Sequence, residues 1–195
     1  MKRRIYVDFD GVIMDTWPFF YEVLQENDYE LYEKLINKSL THDDDQKIIK
    51  ILNGLDWKQV IDKSLPINNS LQELKELYES NLFEVSVLTH CNSEYEAMSK
   101  TNLIDKHIPG LNVIPVYRPL RKDEAVNPKG AILIDDYGKN LETWEEFGGI
   151  GVKFSIDNDK KYNFHQIDHI SKIINIIEET EDDKYEDLEL LETNA

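Results

Sequence analysis

Residues 5–11 read Ile-Tyr-Val-Asp-Phe-Asp-Gly. Ile5, Tyr6 and Val7 have the character of a buried strand, which stops at two acids, Asp8 and Asp10, and a turn glycine, Gly11. Side chains alternate along an extended segment, so Asp8 and Asp10 fall on the same side. Two carboxylates crowded at a strand end repel each other, and each then favours its neutral form. A divalent cation relieves that repulsion. Hard oxygen ligands at such a tip suit Mg²⁺, which binds through one or two carboxylates together with substrate phosphates.

A second tip has the same design. Residues 131–136 read Ala-Ile-Leu-Ile-Asp-Asp, an apolar strand running into Asp135 and Asp136. Either tip alone reads equally well as a solvated strand end. In an open parallel sheet, however, ligands bind at the carboxyl ends of the strands, so two acid-loaded ends converge on one metal.

Between and around these tips the chain alternates strand and helix. Strands are expected at 4–8, 83–88, 112–116, 131–135 and 150–154, with helices near 70–80, 93–105, 138–147 and 166–178. That alternation predicts an α/β fold with a Rossmann-like parallel sheet, right-handed crossovers and flanking helices. The segment between the first two strands is too long for one crossover helix. Phe19, Phe20, Val23, Leu24, Leu31, Leu35 and Ile36 recur at helical spacing. Ile48, Ile49, Ile51 and Leu52 follow Asp43–Asp45, which can cap a helix start. Residues 15–68 are therefore expected to be a small helical insertion over the strand tips, and residues 1–14 and 69–178 the core.

The motifs resemble those of the haloacid dehalogenase-like phosphatases. The resemblance rests on Asp8-Phe9-Asp10-Gly11-Val12, Thr89 after Val85–Leu88, Lys122, and Asp135-Asp136, and it spans about residues 4–154. The stretch Leu133–Asn140, with Trp144, Gly148 and Gly149, is similar to the 5'(3')-deoxyribonucleotidase branch. The resemblance implies that the insertion is a cap closing on the substrate. It implies Asp8 as nucleophile, Asp10 as acid and then base, and the Asp10 main-chain carbonyl as a metal ligand. Asp8 would bind Mg²⁺ together with Asp135 and Asp136, one of these two directly and the other through water or an outer contact, and the sequence does not decide which.

Phosphoryl transfer chemistry asks for the same parts. A carboxylate can serve as nucleophile and form an aspartyl-phosphate; Asp8, at the strand end, suits that task. Asp10 can protonate the leaving oxygen and then deprotonate the attacking water. Thr89, with the amides that follow it toward a helix start near Ser93, can hold a phosphate, although a threonine there can also simply cap a turn. His90 is a phosphate contact through its backbone or an ordinary loop residue. For the cation that pairs with Asp8 and the phosphoryl oxygens there are two candidates. Lys122 lies before a short helix and the acidic strand, whereas Lys129, next to Gly130, reads as a turn residue. Arg118 and Arg121 are neighbours that can reach substrate or point to solvent. Trp17 and Phe19 are the candidates for substrate contact from the cap, where aromatic rings stack on bases with little regard to base identity; at helical spacing they are equally core residues.

Bulk properties narrow the partners. A net charge of −17 over 195 residues argues against long nucleic acids, whose binding depends on Lys and Arg. A small phosphate ester remains compatible, because a bound cation dominates its local field. One cysteine, Cys91, excludes an internal disulfide and fits a reducing cytoplasm. No apolar run approaches the ~20 residues that cross a bilayer. From Glu178 to Glu192, nine acids stand against Lys184 alone, so 179–195 reads as a solvated acidic tail. The expected activity is a Mg²⁺-dependent phosphomonoester hydrolase, with a 5'-nucleotide or deoxynucleotide favoured as substrate. A sugar phosphate or other small metabolite, a phosphomutase, and a non-catalytic binding module of the same fold are the alternatives.

Overall fold

Four consecutive residues, Arg4–Val7, form β1 at the centre of the molecule. The computed structural model describes residues 2–156 and 163–178, so the acidic tail predicted at 179–195 lies outside the described residues. After β1 the chain turns through Asp8–Ile13 into β2 (Met14–Asp15), then α1 (Trp17–Asn27), α2 (Tyr29–Ile36), α3 (His42–Asn53) and α4 (Trp57–Lys63). It returns through β3 (Leu65–Pro66) and continues as α5 (Ser70–Glu79), β4 (Glu84–Cys91), α6 (Glu94–His107), β5 (Asn112–Tyr117), α7 (Lys122–Ala125), β6 (Ile132–Asp135), α8 (Gly138–Glu146), β7 (Ile150–Phe154) and β8 (His165–Ile167).

Six strands form one parallel sheet in the order β5-β4-β1-β6-β7-β8. The chain builds outward from β1 to β5, then crosses back to lay β6, β7 and β8 on the other side. The carboxyl ends of β1, β4 and β6 meet where the direction of winding reverses, the place where such sheets bind ligands. Alternation along the strands separates two cores. Ile5, Val7, Val85, Val87, Ile132, Ile134, Val152 and Phe154 share one cluster; Tyr6, Leu88, Ala131, Leu133 and Trp144 share another. A strand covered by helices on both faces reads as a continuous apolar run, which is why Ile132–Ile134 carries no polar residue.

Two elements differ from expectation. The helix predicted near 166–178 begins instead as β8, because Val152, Lys153 and Phe154 pair in parallel with His165, Gln166 and Ile167 and extend the sheet edge. A 3-10 turn at Ile170–Lys172 follows, and helix occupies 173–178. The other difference is a two-stranded antiparallel pairing, Met14 with Pro66 and Asp15 with Leu65, which ties both ends of the helical insert together.

Within the insert, Phe20, Trp57 and Val60 form a small core of their own, with Phe19, Leu52 and Leu55 packed against it. The start of α3 is capped by Thr41 rather than by the acids alone. The Thr41 hydroxyl accepts from the Asp44 amide, and the Asp44 carboxylate accepts from the Thr41 amide at 3.0 Å, a reciprocal capping box. Among the described residues no helix is long and apolar enough to cross a membrane.

Candidate active site

The turn after β1 sets the geometry. The Asp8 amide still donates to the Ile134 carbonyl at 2.9 Å, so Asp8 is held by the sheet. Beyond it the chain folds back, with Ile13 N–H on the Phe9 carbonyl and Gly11 N–H on the Met14 carbonyl. Gly11 has φ of +72°, and a Cβ there would stand 2.1 Å from Asp136 Oδ2 and 2.9 Å from Trp17 Nε1. Only glycine combines that backbone conformation with so close an approach.

Four acids collect at the tips. Carboxylate oxygens of Asp8, Asp135 and Asp136 all lie within 4.8 Å of one another. Asp10 stands beside them on the wall of a cavity of about 500 Å³ that separates the tips from the insert. The repulsion expected between Asp8 and Asp10 is relieved by two different buried lysines. Lys122 Nζ reaches Asp8 Oδ1 at 2.8 Å and Asp135 Oδ2 at 2.6 Å. Lys100 Nζ reaches Asp10 Oδ2 at 2.5 Å, while Thr16 Oγ1 donates to Asp10 Oδ1 at 3.0 Å.

Lys122 is buried. Burial works against its charge, but the carboxylates of Asp135 and Asp8 outweigh that effect and hold its pKa above the ordinary lysine value. Lys129 is exposed, and its carbonyl accepts from Arg4 at 2.8 Å. Of the two candidate lysines, the structure therefore places only Lys122 at the acids.

Asp135 and Asp136 occupy unlike surroundings. Asp135 has no exposed surface, and both of its oxygens are engaged: Oδ1 by the Tyr137 amide at 2.8 Å, Oδ2 by Lys122 and by Asn140 Nδ2 at 2.9 Å. Burial raises its pKa, with the Asp8 charge adding to the shift and Lys122 opposing it. Asp136 accepts from Trp17 Nε1 through Oδ2 at 3.0 Å. Burial, then the charges of Asp135 and Asp8, push its carboxyl up to about 7. Such a cluster is electrostatically short of positive charge. Its oxygen-only donors fit a hard divalent cation.

The threonine and the residues after it are more engaged than the sequence implies. Thr89 Oγ1 is buried, accepts from Lys100 at 3.2 Å and donates to the His90 carbonyl at 3.3 Å. The Asn92 amide, one of those expected to be open to a phosphate, donates to Glu96 Oε2 at 2.8 Å. His90 lines the cavity. Burial, with help from Lys122 and Arg118, lowers its pKa to about 4, so its ring is neutral at pH 7. Cys91 is buried and its thiol is pushed up to about 12 by that burial, which makes it inert.

Arg118 faces the cavity, whereas Arg121 turns to Asp123 at 2.7 Å. From the insert, Trp17, Phe20 and Trp57 line the cavity together with Leu24, Ile48 and Ile49. Phe19 is not on that wall; its ring packs in the small core of the insert, 5.1 Å from Lys63 Nζ. Two groups escaped sequence reasoning, the Lys100–Glu96 pair and Asn140. The signal for Lys100 was present: α6 buries Ala97, Lys100 and Ile104 at helical spacing, so a lysine stands on its apolar stripe.

No protein-family model matches the chain, and no curated protein matches it. Solved structures do. A haloacid dehalogenase-like family hydrolase from Streptococcus pneumoniae aligns with a TM-score of 0.63 at 13% identity, covering 90% of this chain and 97% of that one. A HAD-superfamily hydrolase of subfamily IA, variant 1, from Geobacter sulfurreducens aligns with a TM-score of 0.59 at 12% identity, covering 90% and 100%. A protein described as a dehalogenase aligns with a TM-score of 0.54 at 14% identity, covering 90% and 96%. At these identities the likeness is one of fold, and the chain has the α/β fold of the haloacid dehalogenase-like hydrolases.

Proposed function

We propose that the protein is a phosphomonoester hydrolase that works through an aspartyl-phosphate on Asp8. The observation that carries this reading is the pairing of two carboxylates on one turn with separate buried lysines, Asp8 with Lys122 and Asp10 with Lys100. One acid is thereby held beside a cation suited to phosphoryl oxygens, and the other stands two residues away on the cavity wall.

In the first half-reaction an Asp8 oxygen attacks phosphorus, and Asp10 gives a proton to the departing oxygen. In the second, Asp10 takes a proton from the water that breaks the acyl phosphate. Lys122 stays between Asp8 and Asp135 and stabilises charge on the transferring group. Mg²⁺ held by Asp8, Asp136 and the Asp10 carbonyl would neutralise the phosphoryl oxygens. Asp135, with both oxygens already engaged, orients Lys122 and Asn140 from behind. Thr89 supports the loop through Lys100, and His90 with Arg118 forms the wall beside the phosphate.

A second neighbourly chemistry, carbon–halogen cleavage, uses a carboxylate nucleophile but expels a halide that needs no proton. Asp10 and its ion pair would then have no task, so the phosphatase reading is favoured. The insert acts as the cap. Its Trp17, Phe20 and Trp57 give the cavity an aromatic roof, which supports a 5'-nucleotide or deoxynucleotide over a plain sugar phosphate.

The test is phosphate release from a panel of nucleoside 5'- and 3'-monophosphates and sugar phosphates, with Mg²⁺ or with EDTA. Release that needs Mg²⁺ and vanishes in Asp8→Asn establishes the reading and ranks the substrates. A folded protein that releases phosphate from none of them refutes it for this panel of esters.

A further inference from the structure

The proposed chemistry leaves the cost of Lys100 unexplained. This residue has no exposed surface. Its Nζ faces four oxygens: Asp10 Oδ2 at 2.5 Å, Glu96 Oε1 at 2.8 Å, the His90 carbonyl at 3.0 Å and Thr89 Oγ1 at 3.2 Å. An ammonium has three protons, so two of these oxygens share one. The rings of Trp57 and Phe9 flank it, with centroids 4.7 Å and 5.4 Å from Nζ. Stability alone does not call for such a group. Well-packed apolar side chains in place of a buried ion pair are often as stable or more so, and the α6 stripe around Lys100 is otherwise suited to one.

The network is anchored at one end and open at the other. Glu96 is buried, and its other oxygen holds the Asn92 amide at 2.8 Å. Asp10 keeps 22% of its side chain exposed and lines the cavity. Lys100 holds its Oδ2 and Thr16 holds its Oδ1. With one donor on each oxygen the carboxylate plane is fixed. A carboxyl group pinned in this way presents one direction to the cavity.

We propose that Lys100 is a positioning residue for Asp10, tethered by Glu96 so that the carboxyl group meets the leaving oxygen in one orientation. The proposal rests on the phosphatase reading above. In the step concerned, an Asp8 oxygen forms the new bond to phosphorus and the ester P–O bond breaks. Asp10 enters this step as the neutral carboxyl, with its proton on Oδ1 and its Oδ2 on Lys100; the electron pair of the broken bond goes to the leaving oxygen, which takes that proton and leaves Asp10 as the carboxylate paired with Lys100 and Thr16. Lys100 touches none of the reacting atoms.

The experiment compares the full chain with Lys100→Met, Lys100→Arg and the double variant Lys100→Met/Glu96→Gln. The double variant removes the charge that the single one strands in the interior. Each is assayed on p-nitrophenyl phosphate, whose nitrophenolate leaves without a proton, and on the best alkyl monoester of the panel above, whose alkoxide does not. Misplaced proton donation is expected to lower kcat/KM on the alkyl ester by roughly 10²-fold. On p-nitrophenyl phosphate kcat/KM should fall by less than about tenfold; because kcat/KM ends with departure of the leaving group, it leaves out the later water step in which Asp10 acts as base on either substrate. Lys100→Arg is expected to recover part of the alkyl-ester rate. Equal losses on both substrates, or no loss on the alkyl ester, in a folded variant overturn the proposal. So does failure of both the single and the double methionine variants to fold, which makes Lys100 a residue of the core. A wild-type protein that hydrolyses neither compound refutes the phosphatase reading itself, before any variant is compared.

Discussion

Trp17 donates its indole N–H to Asp136 Oδ2 at 3.0 Å, so the first residue of α1 holds one of the acids at the tip of the sheet. An outer hydrogen bond of this type fixes the direction of a carboxylate, and its loss commonly weakens metal affinity by ~10–100-fold. Trp17→Phe keeps the ring and removes the donor. The expected outcome is a half-saturating Mg²⁺ concentration raised by about tenfold, with the thermal midpoint nearly unchanged. Titration of phosphate release with Mg²⁺ checks it.

Asp136 makes the metal-free protein sensitive to pH. Its folded pKa, about 7, stands above the usual carboxylate value. The folded state therefore holds a proton that the unfolded chain has released, and the stability it contributes is present below about pH 4 and lost as pH rises toward 7. His90 has the opposite sign: lowered to about 4, it costs stability as pH falls below the ordinary histidine value. Comparison with Asp136→Asn isolates the first effect. At pH 8 the metal-free variant should melt above the wild type, the gap should close toward pH 4, and the Mg²⁺-induced rise in midpoint should appear in the wild type alone. Thermal melts at three pH values, with EDTA and with Mg²⁺, supply the answer.

Removing the Lys122 ammonium leaves Asp8 and Asp135 facing each other without the cation that both contact. Breaking a buried charged network at one partner costs about 3–5 kcal/mol. Lys122→Met is expected to lose that much stability in urea unfolding and to lose phosphate release. Lys129→Met, at an exposed turn, should change neither by more than about 0.5 kcal/mol or its equivalent in rate.

Gly149 allows the connection from α8 to β7 to close on Trp144. A Cβ at this position would stand 2.2 Å from Trp144 Nε1 and 3.0 Å from the Pro128 carbonyl. That indole also donates to the Ala131 carbonyl at 3.0 Å. Gly149→Ala should destabilise by roughly 1–3 kcal/mol through overpacking, read as a lower urea midpoint with an unchanged slope.

The parts of the fold that sequence could show are those carried by local pattern. Ile132–Ile134 is apolar on both faces because helices cover both faces, and the two acid-loaded tips point to one end of the sheet because β1 and β6 run parallel. The strand at His165–Ile167 was hidden because a short edge strand has few apolar positions; its pairing with Val152–Phe154 is decided by the sheet, not by its own residues. Within the site, Asp8, Asp10, Asp135 and Asp136 announced themselves through their place after strands, and Lys122, one of two candidates with Lys129, through the short helix between it and the acidic strand. Lys100 did not, because its partner Asp10 is ninety residues away. A lysine on a helix is ordinarily solvated, and only the burial of Ala97 and Ile104 beside it marks this one as different.

The pairing of Met14 with Pro66 and Asp15 with Leu65 has a consequence for folding and for change. The insert leaves the sheet and rejoins it at one doorway. Once that short hairpin has formed, β1 and β4 are near neighbours along the chain, and the loop-closure entropy of bringing them together is that of a short connection, not of the whole intervening segment. The same doorway makes the insert a detachable module. A different set of helices could be spliced in at these four residues, altering what the cavity admits, while the register of every strand in the six-stranded sheet stayed as it is.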